Sequence, residues 1–383
     1  MRGIRVLDMT RVLAGPWATQ MMADQGAEVI KVESPQGDET RRFEPRVGDD
    51  ATYFQSLNRN KRSIVLDLKT ASGRAVLQRL AASSDVVVEN FRPGVAARVG
   101  LEWPTLHASF PRLVYVAIHA FGDGESEGTD RAGYDLVLQA MGGAASFTGF
   151  PDSPPVRSGL PVADLLSGLY ATQAALLGLL EVERTGRGQK IVVNMLQAQA
   201  AALTYQASRY VLTGEEEAPR GSAHRGLVPY NLYPCSGGHI AIACGNDGMW
   251  QRLREAVRME DRVQWRTNAG RVDDREALEQ ALCSAVAEVA VSELDARLCA
   301  AGVAAGPVLT IGQVLGHEAV SHVALRHPRL GEFQLPAPVL QTASTRAEHR
   351  CAPELGEHRD ALLNELGYGQ DSLDELERQG AFG

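Results

Sequence analysis

This 383-residue chain predicts an α/β fold built on a parallel sheet, and three observations carry that prediction. Six short runs with β-branched apolar cores recur through its first half: "IRVLDM", "AEVIKVE", "RSIVLDL", "SDVVVEN", "RLVYVAI" and "KIVVNML". Segments with helical spacing, such as residues 17–25 and 71–83, lie between several of them. The runs are almost continuously apolar, which is how strands read when helices cover both faces of their sheet. A Rossmann-like large domain over residues 1–200 follows.

The later elements read differently. A helix rich in Ala, Leu and Tyr is expected over residues 197–220, ending in the charged, Pro- and Gly-containing "TGEEEAPRGS", so that residues 201–225 form a helical linker. "VPYNLYPCSGGHIAIACGND" then reads as strand, turn and strand, with helical stretches near residues 249–258, 275–288 and 291–301. That pattern predicts a smaller α+β domain over residues 226–310. Residues 311–383 are punctuated by Pro and then helical, as in a tail that returns to the large domain.

Composition narrows the function. With 44% hydrophobic residues the chain can bury a large core and form two lobes. A net charge of −9 with no Lys/Arg run argues against nucleic acid, while leaving room for local basic pockets that take anionic small molecules. Five cysteines, odd in number and without CxxC spacing, argue against a disulfide framework or a zinc site and read as reduced thiols of a cytoplasmic protein. The N-terminal residues enter a strand directly, which leaves no room for a signal peptide. No uninterrupted apolar run reaches the roughly 18 residues of a membrane span, so a membrane is not expected as a partner.

The opening "GIRVLDMTRVLAGPWATQMMADQGAEVIKVE" is strand, turn, helix and strand, ending in Glu33 where a dinucleotide fold holds ribose hydroxyls. Its turn offers only Gly15 and Pro16 in place of GxGxxG, so Glu33 reads as a solvated strand end. There is no GxSxG elbow, Walker A sequence or HExxH. The nine histidines lack metal spacing and read as surface or capping residues, and no metal is expected. Carboxylates remain, and Asp164 is the most expensively placed. In "SGLPVADLLSGLYATQAALLGLLE" it is the only charge between Arg157 and Glu181. Burial without a partner costs several kcal/mol. Either Asp164 caps its helix, as Asp favours, or it reacts.

The chain resembles the class III CoA-transferase family (CaiB/BaiF) over nearly its whole length. The resemblance is carried by "RVLAGPWATQMMADQGAEVIKVE", "GDETRRF", "NRNKRSIVLDLK", "DVVVENFRPGV", "RLVYVAIHAFG", "AGYDLVLQAMGG", "TGFPDSPPVRSG", "VADLLSGLYA", "RTGRGQKIVV", "GHIAIACGND", "GVAAGPV" and "APELGEHRDALLNELGY", in that order. It implies that Asp164 is a nucleophile forming an aspartyl anhydride and then an aspartyl-CoA thioester. Coenzyme A and acyl-CoA enter as substrates, with no permanently bound cofactor. For CoA it implies backbone contacts at Val12, Leu13 and Ala14, basic positions at Lys31, Arg41, Arg59, Lys61, Arg92 and Arg98, and a slot at Asn90 and Phe91. It also implies an interlocked homodimer. A racemase of the same superfamily is similar, but carries a histidine where "AGYD" has Tyr134, and a phenol is a poor base near neutral pH. A non-catalytic CoA-binding protein would lack the aspartate. The stretch "RGSAHRGLVPY" resembles members that pass CoA between succinyl-CoA and dicarboxylates such as glutarate, which would give His224 and Arg225 the acceptor's remote carboxylate. "ACGND" and "TGFPDSPPVR" resemble acetyl-CoA:oxalate members. The family's Gly-Pro turn after "HAFG" is replaced by "DGESEGTDRAG", and the glycine-only loop of formyl-CoA members is absent.

Overall fold

A computed structural model describes residues 1–123, 131–342 and 348–383. The chain divides into two compact units. The first holds Met1–Ala144, Arg157–Gly214 and Ser321–Gly383, the second Ala145–Val156 and Glu215–Val320.

All six apolar runs are strands of the first unit: β1 (Arg5–Asp8), β2 (Glu28–Glu33), β3 (Lys61–Val65), β4 (Val86–Glu89), β5 (Val114–His119) and β6 (Lys190–Asn194). They pair in parallel throughout, in the order β3-β2-β1-β4-β5-β6. That order reverses between β1 and β4, so the loops leaving these two strands diverge and open a crevice at the carboxyl edge. Both faces are covered, as the continuous apolar runs require. Val6, Val29, Val88 and Val116 face a core with α1 (Ala14–Asp24). Leu7, Ile30, Ile64 and Val87 face a second core that takes in α2 (Ala71–Ala82) and, from the chain's end, Leu362, Leu363 and Leu376.

The first helix starts earlier than its apolar spacing indicates, because Pro16 is tolerated in a first turn. Later in the unit come α3 (Asp135–Met141) and α4 (Val162–Thr185). The α4 helix approaches its neighbours through glycine. A Cβ on Gly168 would lie 2.7 Å from the Ala14 carbonyl oxygen and 2.8 Å from Trp17 Cδ1, and one on Gly178 would lie 2.4 Å from Val114. With 24 residues and an 18-residue stretch of mean hydropathy 1.4, α4 is long and apolar enough to cross a membrane. Ser167, Thr172 and Gln173 interrupt it, so it holds no unbroken apolar run of that length. Its stripe of Ala171, Ala174, Ala175 and Gly178 is buried in the unit's own core.

The single helix expected over residues 197–220 is two, α5 (Met195–Ala202) and α6 (Thr204–Thr213). Thr204 at φ 42° breaks the rod, and Gly214 in the left-handed region ends it. In the second unit β7 (Tyr230–Cys235) and β8 (Gly238–Ala243) form an antiparallel hairpin, and β9 (Ala304–Pro307) pairs with β8. Helices α7 (Asp247–Ala256), α8 (Arg275–Val286) and α9 (Val291–Ala300) close a core around Tyr233, Ile240, Trp250 and Leu282. A further antiparallel pair, β10 (His322–His327) with β11 (Gly331–Pro336), belongs to the returning tail.

Candidate active site

The crevice at the carboxyl edge is built on buried charge. Asp8, fully buried at the end of β1, accepts bonds from Thr10 N (2.9 Å), Thr10 Oγ1 (2.5 Å), Thr19 Oγ1 (2.7 Å) and Lys61 Nζ (2.9 Å). Lys61 Nζ also donates to the Pro16 carbonyl at 3.0 Å and to Asn58 Oδ1 at 2.9 Å. Lys31 Nζ donates to the Thr10 carbonyl and to Asp38 Oδ2, both at 2.9 Å. Burial pushes the Asp8 carboxyl up, but Lys61 and Lys31 outweigh it and hold the group far below the usual carboxylate range.

This network seats the loop after β1. Val12 lies at φ 67°, an unusual conformation for a β-branched residue, with its N–H toward Asp38 Oδ1 at 3.4 Å. Asn90, just past β4, accepts from Arg11 N at 2.9 Å and donates to the Arg11 carbonyl at 2.8 Å, zipping the two diverging loops together. Beneath them Glu89 accepts from Phe91 N at 2.6 Å and stands 3.3 Å from His119 Nε2.

Asp164 enters this crevice from the first turn of α4. It does not cap that helix: the N-cap position is Pro161, without a side-chain cap, and Asp135 Oδ1 accepts from Ala163 N at 2.9 Å instead. Among the described residues Asp164 accepts no hydrogen bond. Burial, and then the charge of Asp135, push its carboxyl up to about 7. It lines a cavity of about 160 Å³ together with Arg11, Val12, Leu13, Ala14, Glu39, Asn90, Phe91, Arg92, His119, Arg131 and Tyr134. A larger cavity of about 640 Å³ shares Arg11, Phe91 and Arg92 with it and adds Lys31, Lys69, Arg74 and Arg98.

Eight of the residues singled out in the sequence therefore meet at one cavity: Asp164, Val12, Leu13, Ala14, Asn90, Phe91, Arg92 and Tyr134. Arg98 lies at the larger one. The other four cations are matched inside the unit. Lys31 and Lys61 have no exposed side-chain surface, Arg41 makes a two-pronged contact with Glu33 (2.7 and 2.8 Å), and Arg59 grips Asp24 at 2.6 Å. Glu33, read as solvated, is buried and also accepts from Ser63 Oγ at 2.7 Å. His224 and Arg225 belong to the second unit. There His224 Nδ1 accepts from the backbone of Gly226 and Leu227, and Arg225 pairs with Glu215 at 3.4 Å and Glu217 at 3.3 Å. The altered turn after "HAFG" falls mostly on residues 124–130, outside the described residues.

Two histidines depart from the surface reading. His119 is buried, and Glu89 raises its pKa against the lowering effect of burial. His327 is buried between Asp50 and Glu354, at 3.7 and 3.6 Å. That trio has metal-ligating groups within reach of one another. The donor set does not fit a cation, because Arg329 already bridges both carboxylates at 2.6 and 2.8 Å. His327 Nδ1 accepts the N–H groups of Arg329 and Leu330, which places the ring proton of the neutral form on Nε2. Sequence reasoning missed Arg11, Glu39, His119, Arg131 and Asp135, although Arg11, Glu39, His119 and Asp135 stand inside the motifs that carry the resemblance.

Residues 1–359 match the model of CoA-transferase family III. The succinyl-CoA:glutarate CoA-transferase of Mus musculus is 36% identical over 98% of this chain and 88% of its own length. The formyl-CoA:oxalate CoA-transferase of Streptomyces avermitilis is 35% identical over 100% of this chain and 99% of its own. A crystal structure of a CAIB/BAIF family protein from Brucella suis superposes with a TM-score of 0.84 at 35% identity, covering 95% of this chain and 98% of that one. A parallel sheet with a reversal crevice, a carboxylate inside it that no described residue bonds, and similarity that runs along almost the whole sequence have one reading in common: this chain belongs to CoA-transferase family III and is an enzyme of the CoA-transferase class.

Proposed function

We propose that Asp164 is the nucleophile that moves CoA from an acyl-CoA donor, succinyl-CoA or acetyl-CoA, to a small carboxylic acid, a dicarboxylate above all. The observation that carries this reading is an Asp164 carboxylate with no hydrogen bond among the described residues, facing a cavity at the reversal point of the sheet. An Asp164 oxygen attacks the thioester carbon and CoA leaves as thiolate, giving an aspartyl acyl anhydride. The thiolate attacks the aspartyl carbonyl, releases the first acid as carboxylate and leaves an aspartyl-CoA thioester. The acceptor carboxylate then displaces the thiolate, which attacks the acceptor's carbonyl and restores Asp164. Thioester energy is conserved, so no nucleotide hydrolysis is required. Leu13, Ala14 and the first turn of α4 keep water from the anhydride.

CoA is proposed to span the two cavities, with its reacting end beside Asp164 and its phosphates in the larger one. Arg92, Arg98 and Lys69 border that cavity with no ion-pair partner among the described residues, which suits phosphate better than the internally paired Lys31, Arg41, Arg59 and Lys61. The names of relatives that act on glutarate and mesaconate support a dicarboxylate acceptor.

The test is a substrate panel. Succinyl-CoA or acetyl-CoA is incubated with oxalate, glutarate, malate, itaconate and mesaconate, and the acyl-CoA products are weighed by mass spectrometry. A new acyl-CoA formed without ATP is the expected result, and no product from any pair would sink the reading. His119 adds an imidazole to the cavity, so uptake of solvent deuterium into a 2-methylacyl-CoA is the control that would reveal a racemase.

A homodimer is proposed for the same chain. Leu169, Leu177 and Leu180 on α4, with Val211 and Leu212 on α6, are more than half exposed, and a second copy is the occupant that the family-type interlock would bring. Light scattering should give about twice the 41.2 kDa chain mass, and a monomer at working concentration would overturn the proposal. All five cysteines are unpaired, which supports a reducing, cytoplasmic setting.

A further inference from the structure

A carboxylate in the first turn of a helix has backbone N–H donors within easy reach, and the local positive potential lowers its pKa. Asp164 does the opposite, and the segment ahead of α4 shows why. Two side chains of α3 hold it. Gln139 Oε1 accepts from Ser158 N at 2.8 Å, while Gln139 Nε2 donates to the Leu160 carbonyl at 3.1 Å and to Asp135 Oδ2 at 2.7 Å. The remaining oxygen, Asp135 Oδ1, accepts from Ala163 N at 2.9 Å, one residue before Asp164. Another element's carboxylate has taken the capping position.

We propose that Asp135 is a positioning residue for CoA transfer: it caps the nucleophile's helix in place of Asp164 and sets a like charge beside it, so that Asp164 stays free of hydrogen bonds and ready to attack. This inference rests on the reading of Asp164 as nucleophile. Asp135 does not line the reaction cavity and acts only through its neighbour.

The charges around Asp164 are mixed. Arg11, Arg92 and Arg131 face the cavity as cations, Glu39 as an anion, and His119 and Tyr134 as titratable neighbours. Tyr53, from the helix Thr52–Leu57, is pushed up to about 12 by burial and then by Asp164 and Asp135. Burial first and Asp135 second raise Asp164 to about 7. Attack requires the ionised form, so the rate falls as pH drops through that value. Removing the Asp135 charge lowers the Asp164 pKa and moves this acid limb to lower pH.

The experiment is the pH profile of kcat/KM for acyl-CoA in the wild type, Asp135→Asn and Asp135→Glu. The asparagine keeps an oxygen for Ala163 N while losing the charge. Its acid limb should move down by roughly one pH unit, whereas Asp135→Glu should keep the wild-type limb. An unmoved limb in folded Asp135→Asn overturns the proposal. Should that variant not fold, Asp135→Ser, which also removes the charge and keeps an oxygen, is read in its place: an acid limb moved below the wild-type one supports the charge pair, and an unmoved limb overturns it. Asp164→Ala is run alongside. Transfer lost there with an unmoved limb in Asp135→Asn condemns the role of Asp135 alone, whereas transfer that survives Asp164→Ala removes the nucleophile and the inference with it.

Discussion

Asp164→Ala should lower CoA transfer by about a thousandfold or more while leaving the fold and acyl-CoA affinity in place. Covalent catalysis disappears with the nucleophile, since no other carboxylate faces the smaller cavity from α4. The fold should tolerate the change because no hydrogen bond of Asp164 is lost among the described residues and the capping contact belongs to Asp135. Alanine also removes a half-buried charge from beside a like one. The check has three parts: the rate of transfer, the thermal midpoint, and calorimetric binding of CoA. Residual activity within about tenfold of wild type would overturn the covalent mechanism.

The largest expected loss of stability lies elsewhere, at Lys61. Replacing it with Met removes the cation from between Asp8, Asn58 and the Pro16 carbonyl and leaves Asp8 hydrogen-bonded only to hydroxyl and amide groups, with the charge of Lys31 left to offset it. Breaking a buried ion pair from one side costs about 3–5 kcal/mol. Lys61→Met should therefore unfold at markedly lower denaturant, and Asp8→Asn/Lys61→Met should recover part of the loss because no uncompensated charge remains. A single-variant loss below about 1 kcal/mol would show that the pair is not what seats the loop after β1.

The strands of the first unit were legible because each is apolar throughout its length, a pattern that needs no knowledge of its neighbours. The β10–β11 pair was not, because each run is only six residues long, β11 buries none of its side chains fully, and β10 buries a histidine beside Val323 and Leu325, so neither carries a clear apolar face. Nor was the grouping of Ala145–Val156 with the second unit, since a short segment carries no mark of the core it will join. Asp164 was legible as a charge standing alone in an apolar helix. The internal pairing of four of the cations was not legible, for the complementary reason. A sequence shows a charge but not its partner, and Lys61 meets Asp8, Arg59 meets Asp24 and Lys31 meets Asp38 only after folding. Asp135 was hidden in the same way, inside a motif that had been weighed only for its tyrosine.

The partition of Arg11, Phe91 and Arg92 between the two cavities has a mechanical meaning. It is stiff: Asn90 holds the Arg11 backbone by both of its polar groups, and Glu89 anchors the amide of Phe91. A molecule threaded through both chambers would rest on this partition as on a fulcrum, so the hold taken on its distant, unreactive end would fix the angle at which its thioester meets Asp164. Affinity for the handle thus becomes aim at the working end.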